Sequence, residues 1–425
     1  MPRSRLQFEE KYMQKKLIAL AVAGLASTGA FAQSNVTIYG VADGSFESVS
    51  VGGGYASRTR LATNSSLIGF KGTEDLGNGL KAIFQVENQI SLDGPSERTN
   101  SQSMRNGWNT RDTFVGLTGG FGAVRAGYVS TPQRSTAAKY DLMPGATGSG
   151  SSLNMIGRVN VGGVYQGAGL STNGFGTSAV GGQNLANNVG TIFRSQALAY
   201  VSPVVNGFNA VIAYVPNENR DNAAAANTVK RNPFGWNAAF NYSNGPINAS
   251  LAYLKLKDIG IGQGVNNSMF NGEEDHTNWL LGASYDFSPS TKVSFMYDNY
   301  KGKLGLDSGS TATVKRNAWY LAGKQSFGAN DLVVAYMRND DNKVSNVPGS
   351  YGDTGAQAWS IRLAHNFSKR TQAYAIYTQI ENEANATYDF SGIDPAVPGG
   401  TGGGNGVVSA GADPRVLGVG IRHIF

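Results

Sequence analysis

Leu417-Gly-Val-Gly-Ile-Arg-His-Ile-Phe425 closes the chain, with bulky groups at the odd positions and small residues or a charge at most even ones. A side-chain period of two describes a strand with one apolar face and one wetter face. Terminal residues of a soluble domain normally fray, and a strand that runs out on an aromatic ring is not built for that. It suits the last strand of a barrel, which must pair with the first so that no edge is left open in lipid. The first expectation is therefore a β-barrel in a membrane.

The other end agrees. Met13-Gln-Lys-Lys is followed by an apolar run from Leu17 to Ala26 and then by Ala30-Phe31-Ala32 before Gln33. These are the basic, apolar and small-residue parts of a secretory signal, and the run is shorter than the roughly 20 residues of a spanning helix. Residues 1–32 are expected to be a signal peptide cut between Ala32 and Gln33. Residues 1–12, with Arg3, Arg5, Glu9 and Glu10, read as an upstream extension.

The remaining chain, 33–425, has no helix-length apolar stretch, so any membrane role falls to strands. The 425 residues are 40% hydrophobic and include 57 Gly and 13 Pro, too polar for a helical membrane protein. There is no cysteine, which fits an exported protein stapled by a closed hydrogen-bond ladder instead of disulfides. No Pro/Ser linker or break in composition divides the chain, so one large domain is expected.

Punctuation sets the architecture. Tight turn signals stand at Asp75–Gly79, Thr118–Gly122, Val205–Gly207, Ser243–Pro246, Ser288–Thr291, Gly328–Asp331 and Ser368–Thr371. Alternating segments of about ten residues, the length of a tilted spanning strand, flank them. Trp279, Leu281, Ala283, Tyr285 and Phe287, for example, alternate with Asn278, Gly282, Ser284 and Asp286, and Trp359, Ile361 and Leu363 with Ser360 and Arg362. Seven hairpins, a strand from about Asn35 to Phe46 and a last one from about Val416 to Phe425 predict sixteen antiparallel strands, enough to enclose water. A soluble β-sandwich or jelly roll is the competing architecture.

Long polar stretches separate the hairpins, the first at about 47–63. Short turns on one side and long loops on the other is how outer-membrane barrels are built. The third stretch, 132–193, is far longer than the rest, and a loop of that length is usually functional. In a wide barrel it is expected to fold inward and narrow the pore; an external flexible loop is the alternative.

Asn64-Ser-Ser-Leu-Ile-Gly-Phe-Lys-Gly-Thr-Glu-Asp-Leu-Gly-Asn-Gly-Leu-Lys-Ala-Ile-Phe-Gln-Val-Glu87 resembles the second and third strands of the general porins of β-proteobacterial outer membranes. Arg111-Asp-Thr-Phe-Val-Gly-Leu117, the run Arg194 to Pro203, Val36-Thr-Ile-Tyr-Gly40 and Gly420 to Phe425 carry the same likeness, which covers essentially the whole mature chain. The resemblance implies a sixteen-stranded barrel, a homotrimer, an inward third loop, and passive diffusion of small ions and hydrophilic solutes. It also implies contact with outer-membrane lipid and lipopolysaccharide, a reading of Phe425 as the membrane-assembly signal, and arginines on the wall opposite the loop. Leu67 and Tyr128 depart from it, standing where many relatives carry Arg.

Charge bears on selectivity independently. Residues 111–217 contain Arg111, Arg125, Arg134, Lys139, Arg158 and Arg194 against only Asp112 and Asp141, while the rest of the mature chain is balanced within one charge. A pore lined by one sign concentrates the opposite ion. The expected constriction residues are Arg58, Arg60, Arg111, Arg125 and Arg194, with Arg111 and Arg194 foremost, and the expected preference is for anions.

An enzyme would need a nucleophile with a base, or paired acids. Only His276, His365 and His423 are present, His276 beside Asp275 in a polar loop and His365 on the apolar parity of its strand, and none has a catalytic or zinc-binding neighbourhood. No catalysis, cofactor, metal or nucleic-acid partner is expected. A substrate-specific channel for sugars, phosphate or carboxylates, and an adhesin or lipid-acting barrel, stay open as alternatives.

Overall fold

Each of the seven turn signals joins two antiparallel strands in the computed structural model. It describes residues 35–52, 54–90, 92, 111–143, 148–160, 188–190, 194–216, 232, 234–258, 275–305, 311–346, 352–390 and 408–425. The expected signal peptide and its cleavage point lie outside the described residues.

Strand β1 spans Asn35–Ser50, β2 is interrupted into Arg58–Thr63 and Leu67–Gly77, and β3 is Leu80–Gln89. The next are β4 Thr113–Gly119, β5 Gly122–Ser130, β6 Arg194–Val201, β7 Phe208–Val215, β8 Phe234–Asn244 and β9 Ile247–Lys257. Longer strands follow, β10 Asp275–Ser288, β11 Thr291–Gly305 and β12 Thr311–Phe327. β13, Asn330–Asn339, continues along β12 as Lys343–Ser345. β14 Ala356–Asn366, β15 Thr371–Asn382 and β16 Arg415–Ile424 complete the set. β1 pairs with β16 from Val41↔Ile424 to Ser50↔Arg415, which closes a sixteen-stranded antiparallel barrel.

The first loop is shorter than the expected 47–63. Alternation continues past Phe46, and Glu47 and Arg60 stand directly opposite each other in the β1–β2 ladder, so Arg58 and Arg60 lie within β2 and not before it. The ladder breaks at Asn64-Ser-Ser, where Ser65 has φ +53°, and resumes at Val41↔Leu67. This interruption frees the Asn64 side chain to enter the lumen, as irregularities beside functional sites often do. His276, expected in a loop, belongs to β10, where it is buried against Tyr300 at 2.7 Å.

Outside, apolar residues point to lipid. Near the ends of the strands joined by long loops, four Tyr–Trp pairs stand directly opposite each other: Tyr214–Trp236, Tyr253–Trp279, Tyr297–Trp319 and Tyr336–Trp359. Their ring centroids are 4.7, 4.5, 4.3 and 4.4 Å apart. Phe208, Tyr242, Phe287, Phe327 and Phe367 form the matching band near the short turns. Trp279 and Phe287 are eight residues apart on β10. At ~3.3 Å per residue and a tilt of ~40° that is a height of about 20 Å, close to the apolar band of a membrane barrel.

Phe425 locks the seam. Gly40 and Phe425 exchange backbone hydrogen bonds of 3.0 and 3.1 Å, and the Phe425 ring lies so close over Gly40 that a Cβ there would collide with it. The glycine of Val36-Thr-Ile-Tyr-Gly40 is thus the seat of the terminal ring. Deleting Phe425, or replacing Gly40 with Val, should lower the yield of folded barrel in the outer membrane several-fold while leaving export unchanged. Equal amounts of the heat-modifiable folded form from variant and parent would refute this.

Candidate pore constriction

The third loop enters the barrel. After β5, Thr131 caps helix α1, Pro132–Tyr140, its hydroxyl accepting from the Arg134 N–H at 3.3 Å, and Pro132 occupies the first turn where no N–H is needed. The Gln133 backbone N–H reaches Asn237 of β8 at 3.2 Å, and its side-chain amide bonds to Asn278 of β10. Tyr140 meets Ser250 of β9 at 2.8 Å, and its carbonyl accepts from Ser294 of β11 at 2.6 Å. Its ring fills the space over Gly282, where any Cβ would collide with it.

Beyond the helix, Asp141 ties the loop together. It accepts from the Met143 N–H at 2.9 Å, the Ser152 N–H at 2.8 Å and the Tyr320 hydroxyl of β12 at 3.2 Å. Burial raises its pKa above the usual carboxylate range, and these donors offset part of the rise. Asn339 of β13 holds the Met155 carbonyl at 3.1 Å. Gly148 then abuts Asn64 of β2, and Gly150 abuts Ile376 of β15, so the loop crosses from one wall of the barrel to the other.

An apolar inner wall makes this docking possible. Leu280, Met296, Tyr320, Val333 and Met337 face inward, are at most 2% exposed and cluster with Ala137, Tyr140, Met143, Met155 and Ile156 of the loop. Some of the polar groups buried beneath it are matched to one another. Asp298 and Arg316 form an ion pair of 2.8 Å with both side chains fully buried, and the Asn278 amide donates to both Asp298 oxygens at 3.1 Å.

The opposite wall is polar. Asp43 of β1 accepts from Tyr374 of β15 at 2.7 Å and from Arg422 of β16 at 3.0 Å. The Asn64 amide donates to Ser45 at 2.9 Å and to the Tyr374 hydroxyl at 2.8 Å. Glu47 pairs with Arg60 at 2.7 Å, and the Arg362 guanidinium of β14 lies 4.3 Å from the centre of the Tyr374 ring. A third group of charges gathers at the root of the loop, where Arg111 pairs with Glu87 and Arg194 with Asp112. Burial, then the positive charges of Arg194 and Arg111, lowers the pKa of nearby Arg134 to about 9, which leaves it charged at neutral pH. Arg125 of β5 stacks on Phe114 at 4.9 Å.

Of the five arginines expected at the constriction, Arg60, Arg111 and Arg194 are thus each bonded to a carboxylate, Arg125 lies on an aromatic ring, and Arg58 is half-buried on β2. Asp43, Asn64, Arg362, Tyr374 and Arg422 were not singled out from sequence. Their signal was the same period of two, since Arg362 and Arg422 occupy the wet parity of strands whose alternation is plain.

The arrangement is a barrel entered by its third loop, and known proteins share the barrel fold. Residues 19–385 match the family of Gram-negative porins. The outer membrane porin protein 32 of Delftia acidovorans is 31% identical, covering 97% of this chain and 100% of that one. The solved structure of an anion-selective porin from Comamonas acidovorans superposes with a TM-score of 0.66 at 27% identity, covering 92% of this chain and 100% of that one. OmpT of Vibrio cholerae in its trimer form superposes at 0.58 with 13% identity, covering 92% and 99%, a likeness of fold alone. The chain belongs to the Gram-negative porins, and it forms a channel in the outer membrane.

Proposed function

We propose that this channel passes small hydrophilic solutes with a preference for anions. The observation that carries the reading is the charge left after pairing. Arg60, Arg111, Arg194 and Arg422 are each matched by a carboxylate, whereas Arg125, Arg134 and Arg362 form no ion pair among the described residues. In this reading their surplus positive charge acts on a solute squeezed between loop and wall, where bulk-water shielding is lost. Selectivity of the Comamonas porin supports the same sign. Arg111 and Arg194 act indirectly in this reading, by cancelling Glu87 and Asp112.

Planar-bilayer recording in a potassium chloride gradient tests it. The parent should favour chloride, and Arg125→Gln with Arg362→Gln should lower the chloride-to-potassium ratio about fivefold, taking about 1 kcal/mol for two screened charges several ångströms away. Salt screens over about 8 Å at physiological strength, so the preference should fade as salt rises. A parent that favours potassium, or a double variant with an unchanged zero-current potential, would sink the proposal.

A homotrimer is supported by the outer surface. Among the described residues β4, β6 and β7 are only seven or eight residues long, less than the 9–11 needed to span a bilayer alone. The Tyr–Trp pairs run from β7 to β14, and none stands on β15, β16 or β1 to β6 among the described residues. A low wall without its interfacial rings is suited to a neighbouring subunit. Delivery through cleavage between Ala32 and Gln33 completes the reading.

A further inference from the structure

All four methionines of the described residues meet at one place. Met143 and Met155 of the third loop and Met296 and Met337 of the wall are at most 1% exposed and belong to the apolar cluster on which the loop rests. Thioethers have no part in the charge selectivity proposed above.

Their placement is specific. Met296 of β11 and Met337 of β13 stand on either side of Tyr320 of β12, each directly opposite it in the ladder. The Tyr320 hydroxyl donates to Asp141 at 3.2 Å and accepts from the Leu142 N–H at 2.9 Å, so the residue between the two wall methionines is one that holds the loop. Asn339, two residues beyond Met337 on the same face, donates to the Met155 carbonyl at 3.1 Å. The Met143 sulfur lies against Gly150, where the loop meets the far wall.

A thioether is unbranched and polarizable, and it fills an irregular seam without fixing it. Gaining a single oxygen turns it from an apolar side chain into a polar one. The chain has no cysteine that would take an oxidant first. We propose that the four-methionine seat is a redox-sensitive switch, which narrows the channel when small neutral oxidants of the hypochlorous acid class pass through it. The switch rests on the channel reading, since the oxidant reaches the seat from the lumen whenever the loop opens locally. In the reaction the sulfur lone pair takes chlorine from hypochlorous acid and releases hydroxide. Water then adds at sulfur, and chloride and two protons leave. Sulfur has lost two electrons to chlorine, and the product is methionine sulfoxide. The donors of Tyr320 and Asn339 already serve the loop, so the new oxygen enters an apolar seat without a partner. Such a group is disfavoured there, and the larger side chain forces the loop off the wall toward the passage.

The test is single-channel recording of the full-length folded protein before and after brief exposure to hypochlorous acid, with the oxidised residues located by peptide mass spectrometry. In the parent the four methionines should each gain an oxygen, and conductance should fall by about a third, the loss expected when a loop moves roughly 2 Å from a close-packed seat. Methionine sulfoxide reductases acting on both epimers should restore it. Replacing all four, Met143→Leu, Met155→Leu, Met296→Leu and Met337→Leu, conserves volume; this variant should conduct as the parent does and keep its conductance through the same treatment. Met296→Leu with Met337→Leu alone leaves the loop sequence untouched and should lose less conductance than the parent. Unchanged parent conductance with the seat oxidised, an equal fall in the Leu variants, or a fall with the four sulfurs still reduced would overturn the switch. A parent that conducts no ions before any oxidant is added would overturn the channel reading, and the switch with it.

Discussion

Asp298→Ala should cost about 3–5 kcal/mol of barrel stability, the largest effect expected of any single replacement on the inner wall. The Asp298 and Arg316 side chains are both fully buried beneath the third loop. Removing the carboxylate strands a guanidinium there with no water to solvate it. The pair itself contributes far less than that, because taking both ions out of water cancels most of their attraction. Asp298→Ala combined with Arg316→Met should therefore recover most of the loss. The Asn278 amide, which donates to both carboxylate oxygens and receives Gln133, would lose both of those acceptors in either variant and keep only the Asn299 carbonyl at 3.3 Å, so recovery should stop short of complete. Urea midpoints of the folded band on unboiled gels check this; single and double variants with the same midpoint as the parent would show that the pair is not buried in the working protein.

Gly282→Leu should lift the helix off the wall. The Tyr140 ring occupies the place a side chain would take, and its hydroxyl and carbonyl are both bonded to the barrel. Two outcomes compete. Forcing the leucine under the ring costs about 1–3 kcal/mol of overpacking, whereas displacing the ring moves the helix toward the pore axis. A close-packed seat gives little, so a lift of roughly 2 Å is expected, enough to remove on the order of a third of the conductance of a pore a few water molecules wide. Tyr140→Phe keeps the ring and loses only the Ser250 bond, so its conductance should stay near that of the parent. Parent-level conductance and stability in Gly282→Leu would mean that the loop does not rest on this wall.

The strands and their pairing order were legible because each short turn carries its own Gly, Asn or Pro signature and each flank alternates. The inward course of the third loop was legible only as a consequence of its length. What showed where it docks was a failure of alternation: Leu280 stands beside Leu281, and Met296 occupies a wet position on β11, because the inner wall there faces protein and not water. The composition of the polar wall was hidden for another reason. Asp43, Tyr374 and Arg422 meet across the closing seam, 331 and 379 residues apart. Counting charge by segment made the chain outside 111–217 look nearly neutral and concealed Arg362 and Arg422, whose partners lie in other strands. The same count drew attention to Arg111 and Arg194 without revealing that Glu87 and Asp112 stand against them.

Four of the five tryptophans, Trp236, Trp279, Trp319 and Trp359, share one depth at the far side of the apolar band, each within 5 Å of a tyrosine. A strand end that starts on the near side must drag its indole through the whole hydrocarbon layer to reach that depth. Ultraviolet light absorbed by the tyrosines passes to the neighbouring indoles, so the emission of the protein is dominated by reporters of a single event. Its shift to shorter wavelength during refolding into vesicles marks completion of the crossing by β8, β10, β12 and β14, and quenchers placed at known bilayer depths turn the same signal into a clock for insertion.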